Sequence, residues 1–354
     1  MWLTTMELLK FRRVRLFLFS GTMIFLFFSC ELFRSTSMKT IKGYSLGTSY
    51  AIKYEVPHDS VDYTDEIEAI FVKMNESMST YLPTSLISRI NKGDSLVVVD
   101  DYFREVFNKS YQIWEATDGA FDPTIGSLVN AWGFGPGQQI DNLTKQKVDS
   151  LLQFVGMDKL EITENGTVKK THKNIFLDYN ALAKGYTLDM IGRLFDKNNV
   201  DNYLIEIGGE ILTKGINSEK GADWLVAIDD PRQEEEKRTL IATVRLKDKA
   251  LATSGNYRKY RVDEATGELY VHTINTKTGY PQKSNILSVT VVAPNCTEAD
   301  AYATAFMAMD IEHVKMLSES LPNLETYMLV SGENGKIETY ITPGFQELIV
   351  AESE

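Results

Sequence analysis

Cysteine is almost absent from this 354-residue sequence, which holds only Cys30 and Cys296. Two thiols close at most one bridge, and no CxxC or Cys/His ligand spacing occurs, so a disulfide framework and a structural zinc site are both excluded. Histidine is scarce too: His58, His172, His272 and His313 lie far apart in the chain. A bound metal would then be a hard ion held by oxygens. Basic charge is deficient, with 37 Lys and Arg against 49 Asp and Glu for a net −12. Residues 1–30 hold Lys10, Arg12, Arg13 and Arg15 against Glu7, so the remaining chain is more acidic still. A body of that sign does not neutralise phosphates, which excludes a general nucleic-acid binder. The sequence also lacks GxxxxGK[ST], a GxGxxG after a strand and HExxH. Long Pro- or Gly-rich linkers are missing as well, which favours one compact unit.

What is present is enough apolar surface for a core: 43% of residues are hydrophobic and 24% charged. The one long apolar run, Leu16 to Phe28, follows the basic stretch Lys10 to Arg15 and precedes Ser29-Cys30. That is the pattern of an export signal, and the run is shorter than the roughly 20 residues a membrane-spanning helix needs. Phe27-Phe28-Ser29-Cys30 resembles the lipobox of bacterial lipoproteins, although Phe28 stands where a smaller residue is commoner. Residues 1–30 are therefore expected to be a lipoprotein-type signal, 31–42 a spacer and 43–350 the folded domain. The mature protein is expected in the bacterial cell envelope, lipid-anchored to a membrane through Cys30 and facing the periplasm; an uncleaved signal anchor is the plainer alternative.

Within the body, Ile67, Ile70, Phe71, Met74 and Met78 recur at helical spacing behind Thr64 and Asp65, which can cap the start. A second helix is expected from about Asp101 to Ala116, a third from Thr144 to a stop at Gly156, and others from Ala181 to about Asn198 and Thr297 to about Met309. Strand patterns crowd the second half: Tyr203 to Ile207, Trp224 to Ile228, Thr239 to Leu246, Tyr270 to Ile274, Leu287 to Ala293 and Thr326 to Val330. Asn165-Gly166 and Asn334-Gly335 are hairpin signals. The mixed order indicates α+β, with mixed sheets and flanking helices, and not a doubly wound sheet.

Four polar segments stand where chemistry could sit. Asp118 to Gly126 offers Asp122, Thr124 and two glycines, and with Phe121, Trp132 and Phe134 it could wall a planar ligand; a loop pinned by Asp-Pro turn chemistry explains it equally well. Asp178 to Tyr186 turns into a helix carrying Lys184, a phosphate site or simply a helix start with a solvated lysine. Thr253 to Tyr257 and His272 to Pro281 supply a histidine beside a turn, either a general base or a hydrogen-bonded strand end. Thr297 to Ala305 places Asp300 and Thr304 on one helix face with oxygen for a hard cation, yet Thr297 to Asp300 is also a capping-box spacing.

Together and in order, these segments resemble the ApbE family of FAD:protein FMN transferases over roughly residues 43–345. Also matching are Gly47-Thr48-Ser49-Tyr50, Ser79-Thr80-Tyr81, Ile87 to Asn91 and Gly208-Gly209-Glu210. The resemblance implies a single ApbE-like domain that binds FAD and Mg²⁺, splits the FAD diphosphate and attaches FMN to a threonine hydroxyl of an acceptor flavoprotein. By matched position it implies FAD contacts at Leu46, Tyr81, Ala120, Phe121, Asp122, Asp178, Lys184 and His272. It also implies a metal site from the Ala181 carbonyl with Asp300 and Thr304, and His272 as the base. The chain departs from the family at Leu46, where methionine is usual, at Tyr179-Asn180, and at Asn275-Thr276, where Asp-Pro is frequent. The same pocket would serve a Mg²⁺-dependent FAD pyrophosphatase, or a non-catalytic periplasmic flavin-binding lipoprotein.

The signal reading is checked by intact mass. The native protein is expected to begin at a diacylglyceryl-modified Cys30, and Cys30→Ser to change membrane association; any other mature N-terminus removes the lipoprotein assignment.

Overall fold

Tyr50, Ile52, Tyr54 and Val56 alternate with Ala51, Lys53 and Glu55, the period of two that a half-buried strand requires. The computed structural model describes residues 36–352 apart from 58–61, 232–238, 256–259, 263–268, 283 and 333–335. In it the alternating residues lie in the second strand of a hairpin, β1 (Thr36–Ser45) and β2 (Thr48–Pro57), with the aromatic and aliphatic set buried. The sheet continues through β3 (Tyr203–Ile207), β4 (Glu210–Lys214), β5 (Ala250–Gly255), β6 (Ile286–Ala293), β7 (Glu325–Ser331) and β8 (Ile337–Ile341). These eight strands lie side by side in chain order, and every ladder between them is antiparallel. The α+β architecture thus holds, with the helices inserted between strands of one meander. Cys30 and the export signal lie outside the described residues, as do Asn256, Tyr257 and Asn334-Gly335.

Four helices cover one face: α1 (Thr64–Met78), α2 (Asp101–Ala116), α3 (Ala183–Lys197) and α4 (Cys296–Met307). Their apolar stripes meet the sheet in the main core, where Ile52, Ile67, Phe103, Ile191, Val289 and Phe306 are fully buried. Each such side chain stabilises the fold by about 1.5–3 kcal/mol relative to exposure. On the opposite face a three-stranded sheet, Trp224–Asp229, Leu240–Leu246 and Ile349–Glu352, sets Val226, Val244 and Leu246 against Leu251, Val292 and Leu329. The central strands β5 and β6 are therefore covered on both faces, which accounts for the nearly continuous burial of β6 and of Ala250–Ala252 at the start of β5.

Several boundaries differ from the expectation. β1 reaches back to Thr36, in register with Pro57, so most of the supposed spacer is strand. The start of α1 is held by Asp62, whose Oδ1 accepts the Thr64 N–H at 2.9 Å, and not by Thr64 or Asp65. The helix behind Thr144 stops at Leu152, because the Gly156 N–H donates to the Thr124 hydroxyl at 2.6 Å and turns the chain away. The strand expected over Tyr270 to Ile274 ends at Val271. Asn165-Gly166 does turn a hairpin, between Leu160–Ile162 and Val168–Lys170.

The crossing of α3 and α4 positions everything that follows. A Cβ on Gly185 would lie 2.3 Å from the Cys296 carbonyl oxygen and 2.9 Å from the Asp300 Cβ, so only glycine permits this approach. The α4 N-terminus is capped by Asn295, which accepts the Glu298 N–H at 2.9 Å, and by Asp189 of α3, which accepts the N–H groups of Cys296 and Thr297 at 2.7 and 2.9 Å. Asp300 is not part of that cap. Gly185→Ala is expected to destabilise the protein by about 1–3 kcal/mol through overpacking; urea unfolding measures it, and an unchanged midpoint would show that the helices part without cost.

Candidate functional site

Asp118–Gly126 and Asp178–Ala181 are joined edge to edge. Ile125 bridges Phe176 in parallel, and the Asp178 N–H donates to the Pro123 carbonyl at 2.8 Å. Gly126 is required here, since a Cβ would come within 2.5 Å of the Phe176 ring and 2.9 Å of its carbonyl oxygen. Asn91 holds the second segment from behind: its Nδ2 donates to the Leu177 carbonyl and its Oδ1 accepts the Leu177 N–H, both at 2.8 Å. Lys170 adds a three-way tie, donating to the carbonyls of Ile90, Ile175 and Lys173 at 3.0, 3.0 and 3.2 Å. Burial lowers its pKa, and the carbonyl ring satisfies the ammonium hydrogens.

Within the first segment the side chains turn inward. Phe121 is 3% exposed and packs in the main core, beside the half-buried Ala120. Trp132 and Phe134 likewise pack in a small core of their own with Leu128, Val148 and Ile274. Asp122 is buried and pins the turn, its Oδ1 accepting the Thr124 N–H and hydroxyl at 2.8 and 2.6 Å. Burial, only partly offset by those bonds, pushes its pKa up to about 6. Tyr81, in contrast, is 65% exposed. Partial burial and the Asp178 carboxylate raise its phenol pKa. Asp178 itself accepts the Asn180 N–H at 2.8 Å, and burial raises its pKa. Ser85 and Ser88 both donate to the Ser79 carbonyl, fixing the turn that carries Tyr81.

The start of α3 gathers charge. Lys184 pairs with Glu210, the buried first residue of β4, whose Oε2 has no hydrogen-bond partner among the described residues. Burial works against the Lys184 charge, but the Glu210 and Asp300 carboxylates outweigh it and hold the pKa above its ordinary value. Asp300 is 4% exposed, and its Oδ2 accepts the Gly185 N–H at 3.1 Å. Burial drives its pKa well above the carboxylate range, with Lys184 opposing. One turn on, the Thr304 hydroxyl lies 3.3 Å from that of Ser254 on β5. No backbone amide among the described residues donates to the Ala181 carbonyl, which lies just before α3. No three His, Cys, Asp or Glu side chains converge to hold a metal among the described residues. The set at hand is instead one carboxylate, one carbonyl and one hydroxyl, which suits a hard cation that completes its shell with water and phosphate.

His272 follows the end of the strand Leu269–Val271, half-buried, and opens a loop closed by the Ile274–Pro281 bridge and the Gln282 N–H to Thr273 carbonyl bond at 2.8 Å. That loop lies on the first segment: the Thr276 hydroxyl donates to the Gly119 carbonyl at 2.6 Å, and Lys277 pairs with Asp118 at 3.1 Å. Leu46 is the outlier among the expected contacts. It sits at the β1–β2 turn with φ of 50° beside Gly47 at 76°, partly buried against the main core. Its link to the rest runs through Thr48, which a Cβ on Gly208 would approach to 2.8 Å, two residues before Glu210. Sequence reasoning overlooked Lys170, Glu210 and Thr276 as site-building residues. Of these only Glu210 carried a signal, an acid directly after the Gly208-Gly209 turn.

With this geometry established, three comparisons bear on the chain. The ApbE family model matches residues 46–328. A Haemophilus influenzae protein named FAD:protein FMN transferase is 32% identical over 326 residues, 89% of this chain and 92% of its own length. A Vibrio cholerae protein of the same name is 33% identical over 315 residues, 87% of this chain and 92% of its own. Among solved structures, the flavin transferase ApbE from Vibrio cholerae superposes with a TM-score of 0.78 at 30% identity, covering 89% of this chain and 100% of that one. The apo form of a Pseudomonas stutzeri flavinyl transferase ApbE gives 0.77 at 28%, covering 90% and 98%.

Asp122 yields a pH prediction whose sign is definite. Its folded pKa of about 6 exceeds the reference 3.8, so its contribution to stability is full below the lower value and is lost as pH rises through the upper one. The stability of the wild type relative to Asp122→Asn is expected to fall by up to about 3 kcal/mol across that interval. Parallel urea curves at several pH values measure the difference, and a difference that does not change with pH removes the buried-acid account.

Proposed function

The chain belongs to the ApbE family, and from that premise we propose that it transfers FMN from FAD to a threonine hydroxyl of an exported acceptor flavoprotein, with Mg²⁺ as its metal. The observation that carries the reading is the buried Asp300 carboxylate set against the first turn of α3, where Lys184 projects. Asp300, Thr304 and the Ala181 carbonyl would hold the cation, and the all-oxygen character of that set supports Mg²⁺. When bound, Mg²⁺ supplies charge neutralisation for the diphosphate.

The remaining roles belong to the chain. The exposed ring of Tyr81 offers a stacking face for the flavin, and the backbone of Ala120 and Phe121 borders it. Asp122 acts by shaping that backbone, and Asp178 by holding the loop between Tyr81 and α3. Lys184, kept protonated by its carboxylate neighbours, contributes positive charge beside the phosphates. His272 accepts the proton of the threonine hydroxyl as that oxygen bonds to the FMN phosphorus; the bond from phosphorus to the bridging oxygen breaks, and AMP departs with it. A lipid on Cys30 would keep this acidic domain on the membrane, among exported acceptors.

Product analysis tests the reading with FAD, Mg²⁺ and an acceptor domain bearing a candidate threonine. Transfer gives AMP and an acceptor heavier by FMN; free FMN with AMP indicates hydrolysis, and intact FAD a carrier. Excess chelator is expected to abolish turnover. Asp300→Asn should do so while leaving the stability of the metal-free protein equal or higher, since a buried acid becomes a neutral amide. His272→Ala is expected to cost about 10²–10⁴-fold in rate with FAD binding retained. Full activity in chelator refutes the metal, and full activity without His272 refutes the base.

A further inference from the structure

The loop from His272 to Gln282 carries its own internal order. The Asn275 side-chain oxygen accepts the N–H groups of Lys277 and Thr278, both at 2.9 Å, and its amide donates to Gln282 at 2.7 Å. The Asn275 N–H donates to the Tyr280 carbonyl at 2.8 Å, and Gly279, with φ of 75°, closes the turn with its N–H on Asn275. A loop braced in this way moves as a unit, so the place of His272 depends on where that unit is fastened.

Among the described residues, two hydrogen bonds and one exposed ion pair fasten it to the stretch that borders the proposed flavin site. In one bond, the Trp132 indole donates to the Gly279 carbonyl at 2.9 Å, beside the small core of Leu128, Val148 and Ile274. In the other, the half-buried Thr276 hydroxyl donates to the Gly119 carbonyl at 2.6 Å. The adjoining Lys277–Asp118 pair is exposed on both sides, where such pairs contribute little. Gly119 directly precedes Ala120 and Phe121, so the Thr276 bond ties the histidine loop to the backbone that would touch FAD. We infer that Thr276 is a positioning residue for flavin transfer: its bond to Gly119 sets His272 relative to the bound flavin phosphate. Thr276 acts through His272, and the inference rests on the reading of His272 as the base.

The test uses the full chain with FAD, Mg²⁺ and the acceptor domain that served for product analysis. Thr276→Val keeps the volume and removes the donor. It is expected to lower kcat by about 10- to 100-fold, the cost of a displaced catalytic group, with the Kd for FAD changed less than about twofold. Thr276→Ser restores the hydroxyl and should recover most of kcat. Because the effect runs through His272, the double variant His272→Ala/Thr276→Val should be no slower than His272→Ala, whereas a merely structural loss would multiply. Wild-type turnover in Thr276→Val, parallel loss of FAD binding, failure of the serine to rescue, or multiplied losses in the double variant would each overturn the assignment. If His272→Ala is fully active, the base reading fails by itself, and the inference falls with it; a defective His272→Ala beside a normal Thr276→Val refutes the positioning role alone.

Discussion

The site depends on one close contact, the approach of α3 to α4 at Gly185. With no side chain there, the first turn of α3 comes near enough for its Gly185 N–H to reach Asp300, and for Asp189 to take the free N–H groups at the start of α4. A methyl group at that point would push apart the Ala181–Lys184 turn and the Asp300 helix. The carboxylate would then lose the Gly185 N–H and its nearness to Lys184, and the oxygen set proposed for the cation would no longer belong to one place.

Polar side chains in backbone roles do the rest of the positioning. Asn91 completes a strand-like pair with Leu177, Lys170 gathers three carbonyls, Ser85 and Ser88 hold the Ser79 turn, and Thr276 spans to Gly119. Irregular loops carry backbone groups that no ladder satisfies, and each of these residues answers for one or more of them. The result is a set of loops with the rigidity of secondary structure, which a site assembled from distant parts of the chain requires.

Burial has electrostatic consequences in the same region. Asp122, Asp178, Asp189 and Asp300 all have raised pKa values, with loss of solvation the foremost cause in each. Asp122 and Asp189 serve as acceptors for several nearby donors, whereas among the described residues Asp178 accepts the Asn180 N–H and Asp300 accepts the Gly185 N–H beside the Lys184 ammonium. Carboxylates so sparsely compensated would be the ones most stabilised by an arriving cation.

The amino-acid sequence by itself determined the α+β class, the extents of α1 and α2, most strands of the second half and the ordered motifs that mark the family. Those features are local: an apolar period of two or 3.6, a turn dipeptide, a run of residues in a fixed order. Tertiary structure decided the rest. Nothing local distinguishes Asp300 as a cap from Asp300 as a partner of Gly185, because the Thr297–Asp300 spacing suits a capping box and only the fold brings α3 against Asp300. Nor does composition tell that Phe121 is core while Tyr81 is exposed, since an aromatic ring suits either a wall or an interior. Lys170 and Thr276 were illegible for the same reason: their partners lie from 5 to 157 residues away along the chain for the buried ties that matter. A hydrogen bond across that distance has no sequence period, and only packing of the sheet and its helices creates it.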